Sequence, residues 1–202
     1  MSSERNLLLD LEFQPLTPDR WPDFERLFGT RGAYGGCWCM WWRSTRREFE
    51  QRGNEGNRQA MRALVESGQV PGILAYHGGE AVGWCSVAPR EQYGAVERSP
   101  VLKRLDDAPV WSLVCLFVAR GYRGQGLAGA LIRAAVDYVR GQGGQIVEAY
   151  PTQPRAERLQ PISSFMGIPA MFEREGFVEC ARPSKSRVIM RYTIDAERHS
   201  KR

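Results

Sequence analysis

Residues Val118–Ala128, VARGYRGQGLA, join an apolar strand to an amphipathic helix through a turn that holds Gly121, Gly124 and Gly126. The run before it, Val110–Val118, is rich in β-branched and aromatic residues and short enough to be a buried strand. After it, Leu127, Ala130, Leu131, Ala134, Ala135 and Tyr138 recur at helical spacing. Glycine permits a sharp turn and close approach of a ligand to the backbone. The first amides of a helix lack intrahelical partners and carry partial positive charge. Arg120 and Arg123 add formal charge. The segment reads as a pyrophosphate cradle.

Two common phosphate motifs do not explain it. The letters G-x-G-x-x-G are present as Gly124, Gly126 and Gly129, but the strand that follows, Gln145–Tyr150, offers only Glu148, in its interior, for a ribose. No Gly-Lys-Ser/Thr follows, which excludes the Walker A pattern. The 202 residues carry a net charge of +5 with dispersed arginines and no recognition module, so no nucleic-acid partner is expected. Basic charge also suits a polyanionic ligand. No apolar run approaches a membrane span, and Met1–Asn6 lacks a signal-peptide layout, so a cytoplasmic protein without membrane attachment is expected. Five cysteines and two histidines form no ligand cluster: Cys37-Trp38-Cys39 is C-x-C rather than C-x-x-C, and Cys85 and Cys115 sit within predicted strands. No metal is expected.

The length suits one domain over 1–195, with a basic tail at 196–202. The pattern predicts a strand at Leu8–Phe13. A helix follows from Thr17-Pro18 to about Phe28, with Thr17 as N-cap. A second helix starts near Ser44, is broken at Gly53 and Gly56, and resumes over Arg58–Glu66. Gly72–His77 and Ala81–Val87 form a hairpin across His77-Gly78-Gly79-Glu80. A short helix is expected at Val101–Leu105, and the glycine-turn helix ends near Gly141–Gly144. A short helix at Pro169–Glu175 and strands at Phe177–Arg182 and Arg187–Ile194 complete the chain.

Arg123-Gly124-Gln125-Gly126-Leu127-Ala128 fits R-x-x-G-x-A and resembles the acyl-CoA signature of the GNAT acetyltransferase superfamily. Ala81-Val82-Gly83-Trp84 is similar to that family's third strand, and Met171–Phe177, MFEREGF, to its late helix and the Gly-Phe that opens the last strands. The resemblance implies an α/β fold with a mixed central sheet, helices on both faces, and a fourth and fifth strand that splay apart around the pantetheine arm. It implies acetyl transfer from acetyl-CoA to an amine of a small molecule or protein by direct attack, without an acyl-enzyme, by a monomer or homodimer. The amides of Arg123, Gly124, Gln125, Gly126, Leu127 and Ala128 would hold the pyrophosphate. The amide of Val118 or its neighbour Phe117 would lie near the thioester carbonyl.

The catalytic groups are less defined. Glu148 shares a strand face with Ile146 and Tyr150; it either takes the amine's proton, directly or through water, or binds a cationic acceptor or pairs with an arginine. Where many members of the family carry tyrosine in the late helix, this chain has Phe172. Tyr150, Ser163 and Ser164 are the replacement hydroxyls for a general acid, with water as the alternative donor. The Trp-rich stretch Arg31–Arg43 offers Trp38, Trp41 and Trp42 either as core or as the wall of an acceptor pocket. Cys37 or Cys39 would need a base to act as nucleophile, and no histidine is adjacent. The alternative reading is an acyl-CoA-binding module without turnover, which the missing tyrosine favours.

Overall fold

The computed structural model of the protein describes residues 8–153 and 165–194. Seven strands form one sheet: β1 (Leu11–Pro15), β2 (Ile73–His77), β3 (Glu80–Pro89), β4 (Trp111–Val118), β5 (Ile146–Ala149), β6 (Val178–Ser184) and β7 (Arg187–Thr193). Their order is β1-β2-β3-β4-β5-β7-β6. Only β4 and β5 run parallel; every other pair is antiparallel. The parallel pair needs a crossover, which the helix after the glycine turn provides. The basic tail expected at 196–202 lies outside the described residues.

Among the described residues five helices flank the sheet: α1 (Trp21–Phe28), α2 (Arg46–Glu66), α3 (Gly94–Glu97), α4 (Leu127–Gly141) and α5 (Pro169–Arg174). Alternation along the strands divides the core in two. On one face Phe24, Phe28, Met61 and Val65 of α1 and α2 pack on Leu74 and Trp84. On the other, Leu127, Leu131, Ala135 and Val139 of α4 pack on Ala75, Val82, Leu113 and Val147, with Phe172 and Phe177 beside them. The mixed sheet with helices on both faces is the arrangement expected from the sequence.

Boundaries shift in places for local reasons. The Thr17 side chain caps no backbone amide and instead bonds to Asp19 and Arg20, so Pro18–Arg20 forms a 3-10 turn ahead of α1. The helical pattern at Val101–Leu105 is a turn region, and the helical residues of that connection are Gly94–Glu97. At the start of α2, Thr45 Oγ accepts from the Glu48 amide while Glu48 reaches back to the Thr45 amide, a complete capping box. The break in α2 falls at Gly53 (φ 59, ψ −162), whereas Gly56 continues the helix.

Gly53 adopts a conformation essentially restricted to glycine, and a β-carbon there would meet nothing within 4 Å. Gly53→Ala therefore isolates the backbone term. It should cost about 1–3 kcal/mol, read as a lower urea midpoint at unchanged slope; an unaltered midpoint would show that the kink is not required.

Candidate active site

The glycine turn is built as its sequence suggests. Arg120–Tyr122 makes a 3-10 turn, Gly124 (φ 76) and Gly126 (φ 81) take left-handed conformations, and α4 begins at Leu127. The amides of Gly124, Gln125 and Gly126 donate to no acceptor among the described residues. Those of Leu127, Ala128 and Gly129 are first-turn amides with no intrahelical acceptor. Six consecutive N–H groups thus gather at the positive end of a 15-residue helix. Arg123 Nε donates to the Val118 carbonyl at 2.9 Å and Gln125 Nε2 to the Gly121 carbonyl at 2.8 Å, so both side chains brace the turn.

Beside this turn, β4 parts from β5. The two are paired over Trp111–Leu113 only. On the β3 side Ser86 faces Cys115 while Val87 faces Leu113, so Val114 is an extra residue, a bulge, where the separation starts. Past it the Leu116 amide donates to the Phe165 carbonyl at 2.7 Å rather than to β5. The Ala119 amide turns the other way, to Val82 of the β3 side. Alternation then points the Val118 N–H into the gap and the Phe117 N–H toward β3. Of the two amides expected near a carbonyl, Val118 has the orientation for it; the Phe117 amide is committed to the sheet.

An apolar cavity of about 350 Å³ adjoins the parted edge on the α1–α2 face. Rings of Phe28, Tyr34, Trp41, Trp42, Phe49 and Phe165 line it, with β4 from Val114 to Phe117 as its floor. Trp41 and Trp42 are therefore pocket residues. Trp38 is not: it is 2% exposed, stacked on Phe28 at 5.6 Å between ring centroids, and donates from Nε1 to Asn54 Oδ1 at 2.6 Å. The lining also holds the thiols of Cys37, Cys39 and Cys115, which the sequence pattern left without a role. Cys39 and Cys115 Sγ lie 3.4 Å apart, and Trp84 Nε1 donates to Cys39 Sγ at 2.7 Å. Burial pushes the Cys39 thiol well up. The half-buried Cys37 is instead held down at about 6, chiefly by its hydrogen bond with the Cys39 thiol and further by neighbouring backbone groups.

A family model described as the acetyltransferase (GNAT) family matches residues 38–159, more than half of the chain. This chain belongs to the GNAT acetyltransferase family. Solved structures of similar shape include a GNAT acetyltransferase from Listeria monocytogenes, 13% identical with a TM-score of 0.55, covering 91% of this chain and 95% of that one. A second, from Streptococcus agalactiae, is 14% identical with a TM-score of 0.54 and covers 92% and 96%. A third, the PaiA N-acetyltransferase from Thermoplasma acidophilum in complex with coenzyme A, is 11% identical with a TM-score of 0.51 and covers 91% and 99%. No curated protein matches the chain. No helix among the described residues is long and apolar enough to cross a membrane, and none of their side chains form a metal-binding group.

This GNAT chain treats its two strand-borne catalytic candidates differently from the expectation. Glu148 and Tyr150 do share the α1–α2 face, but both are completely buried. Glu148 Oε1 accepts from Arg90 at 2.7 Å and from the Tyr150 hydroxyl at 2.8 Å, and Oε2 accepts from Arg191 Nε at 2.7 Å. Tyr150 also accepts from Arg90 at 2.8 Å and lies 2.7 Å from Ser112 Oγ. Burial, and then the Glu148 charge, push the Tyr150 hydroxyl well above the ordinary tyrosine range. Both Glu148 oxygens are taken up inside the core and Glu148 is absent from the cavity lining, so neither is presented to an amine there, and the Tyr150 hydroxyl is a poor acid. Of the alternatives for Glu148, pairing with arginine is the one seen. Ser163 and Ser164 lie outside the described residues. Phe172 is fully buried in the α4-side core, edge-on to Phe177, so no hydroxyl stands in for the family's tyrosine there.

Two measurements check these assignments. Glu148→Gln leaves Arg90 short of a buried counter-charge and should cost about 3 kcal/mol. Its turnover per folded molecule should fall by less than about tenfold, against the hundredfold or more of a lost base. A full-stability variant with collapsed turnover would restore the base. Alkylation of Cys37 by iodoacetamide, followed by peptide mass mapping, should rise with pH through about 6, because the thiolate predominates above that value. A midpoint near the ordinary thiol range would contradict it.

Proposed function

We propose that the protein transfers an acetyl group from acetyl-CoA to an amine by direct attack. The observation that carries this reading is the row of unpartnered amides at Gly124–Gly129 beside the parted β4 edge, an anion cradle placed next to an open strand. The coenzyme supplies the activated thioester. Amides of Gly124–Ala128 are assigned to its pyrophosphate, the expected Arg123 amide being taken by the Arg120 carbonyl, and the Val118 N–H to the thioester carbonyl, whose oxygen gains charge as the amine attacks. The complex of the PaiA enzyme with coenzyme A supports a CoA ligand for this fold. The amine approaches from the aromatic cavity, so Trp41 and Trp42 are assigned to acceptor binding. Proton removal from the amine falls to a group at the cavity or to water, since Glu148 and Tyr150 are tied into the core network.

A thermal-shift titration tests the reading. Ligand at a hundred times its Kd adds about 2.7 kcal/mol, which for a chain of this size raises the Tm by roughly 5–10 °C. Acetyl-CoA and free CoA should both give this shift, and NAD none. Gly126→Trp, at an exposed left-handed position, should abolish the shift while the protein still melts cooperatively. An undiminished shift in that variant would refute the cradle. Free thiol release with amines then separates turnover from binding alone.

A further inference from the structure

The cavity carries an unusual chemistry for an amine site. Among the described residues its lining contains no carboxylate and no imidazole; the ionisable side chains of these residues that face it are Tyr34, Cys37, Cys39 and Cys115. The nearest strand carboxylate, Glu148, has both oxygens occupied inside the core. Among the described lining groups Cys37 is the one whose ionisation is brought close to neutrality, and it can face a single ammonium. A second cationic group on the same ligand would be stripped of water with no partner.

The walls select in the other direction. Seven aromatic residues line a space of about 350 Å³, at the small end of ligand pockets. Tyr34 and Trp41, 58% and 42% exposed, stand where apolar side chains would ordinarily be covered. The Trp41 ring rests edge-on against Phe49 at 5.1 Å, which holds it upright at the rim. Trp42 contributes a buried Nε1–H that has no acceptor among the described residues. An unsatisfied donor in an otherwise apolar wall is costly unless a ligand answers it.

We propose that the acceptor is a small aromatic monoamine, its ring held among Trp41, Trp42 and Phe49 and its nitrogen directed to the parted edge of β4. In the transfer, the nitrogen bonds to the thioester carbonyl carbon, the carbon–sulfur bond breaks, the thiolate of coenzyme A leaves, and the amine's proton passes to the cavity thiolate or to water. This rests on the acetyl-transfer reading above. It disfavours polyamines, aminoglycosides and lysine side chains in acidic peptides, all of which bring extra charge that the described lining does not match.

The test measures thiol release by the full chain with acetyl-CoA and a matched amine panel. Tryptamine and 2-phenylethylamine should exceed spermidine and a lysine-containing peptide by a hundredfold or more in kcat/KM. Trp41→Ala, a rim substitution, should raise KM for tryptamine five- to tenfold while the CoA-induced thermal shift is retained. Preference for spermidine, for the lysine peptide, or for a peptide with an N-terminal aromatic residue would overturn the acceptor assignment and leave acetyl transfer standing. A tryptamine KM indifferent to Trp41 would also overturn it. Absence of any CoA-induced shift would overturn instead the reading on which it rests.

Discussion

Everything at the site depends on one strand being let go. β4 keeps its parallel partner for three residue pairs and then bulges at Val114, after which its outer edge has no strand beside it among the described residues. An unpaired strand edge presents N–H and C=O groups that must find partners. Here the Phe165 carbonyl takes the Leu116 amide, and the Val118 amide is left facing the gap. The same departure opens the cavity floor from Val114 to Phe117 and sets the end of β4 against the glycine turn. Strand edge and cavity floor are two consequences of one lost register, and both are set beside the glycine turn.

Such an opening needs a clamp at its base, and the buried polar cluster supplies one. Where β4 and β5 still touch, Ser112 faces Glu148 across the ladder and bonds to Tyr150. Arg90, on the connection after β3, reaches Glu148 and Tyr150, and with its remaining nitrogens Glu97 and the Leu102 carbonyl. Arg191 on β7 completes the set through Glu148 and Asp106. Because every member is satisfied, the cluster avoids the penalty of a half-paired buried charge. It ties β4, β5, β7 and the 90–110 connection together immediately below the split. Glu148, paired with two arginines, is the rivet that holds the fork in shape.

How much of this could be read from the letters follows from the range of each signal. The glycine turn was legible because strand end, glycines and helix start lie within eleven consecutive residues and each obeys a local rule. The hairpin at Gly78-Gly79 and the break at Gly53 were legible for the same reason. Period two placed Glu148 and Tyr150 on the correct face, but periodicity gives direction without depth. Their partner Arg90 lies 58 and 60 residues away, and nothing local announces it. The Val114 bulge carries no turn residue and so left no trace. Among the tryptophans, position 38 could not be told from 41 and 42, since all three share composition and neighbourhood.

What separates those tryptophans is backbone conformation. Ala33, Trp38 and Cys39 all take positive φ, at 63, 40 and 54. For residues with side chains this costs roughly 1–2 kcal/mol each, so the surrounding structure must impose it. Trp38 shows how: its ring is locked between Phe28 and the Asn54 side chain, which also donates to the Thr30 carbonyl and so ties α2 to the segment leaving α1. With that ring as anchor, the left-handed turn at 38 and 39 places Cys37 and Cys39 among the groups that line the cavity, and the chain continues so that Trp41 and Trp42 form its wall. Strain is thereby converted into the placement of a thiol and two rings at the open edge of β4. A ring buried away from the cavity thus determines where the cavity's lining groups are held.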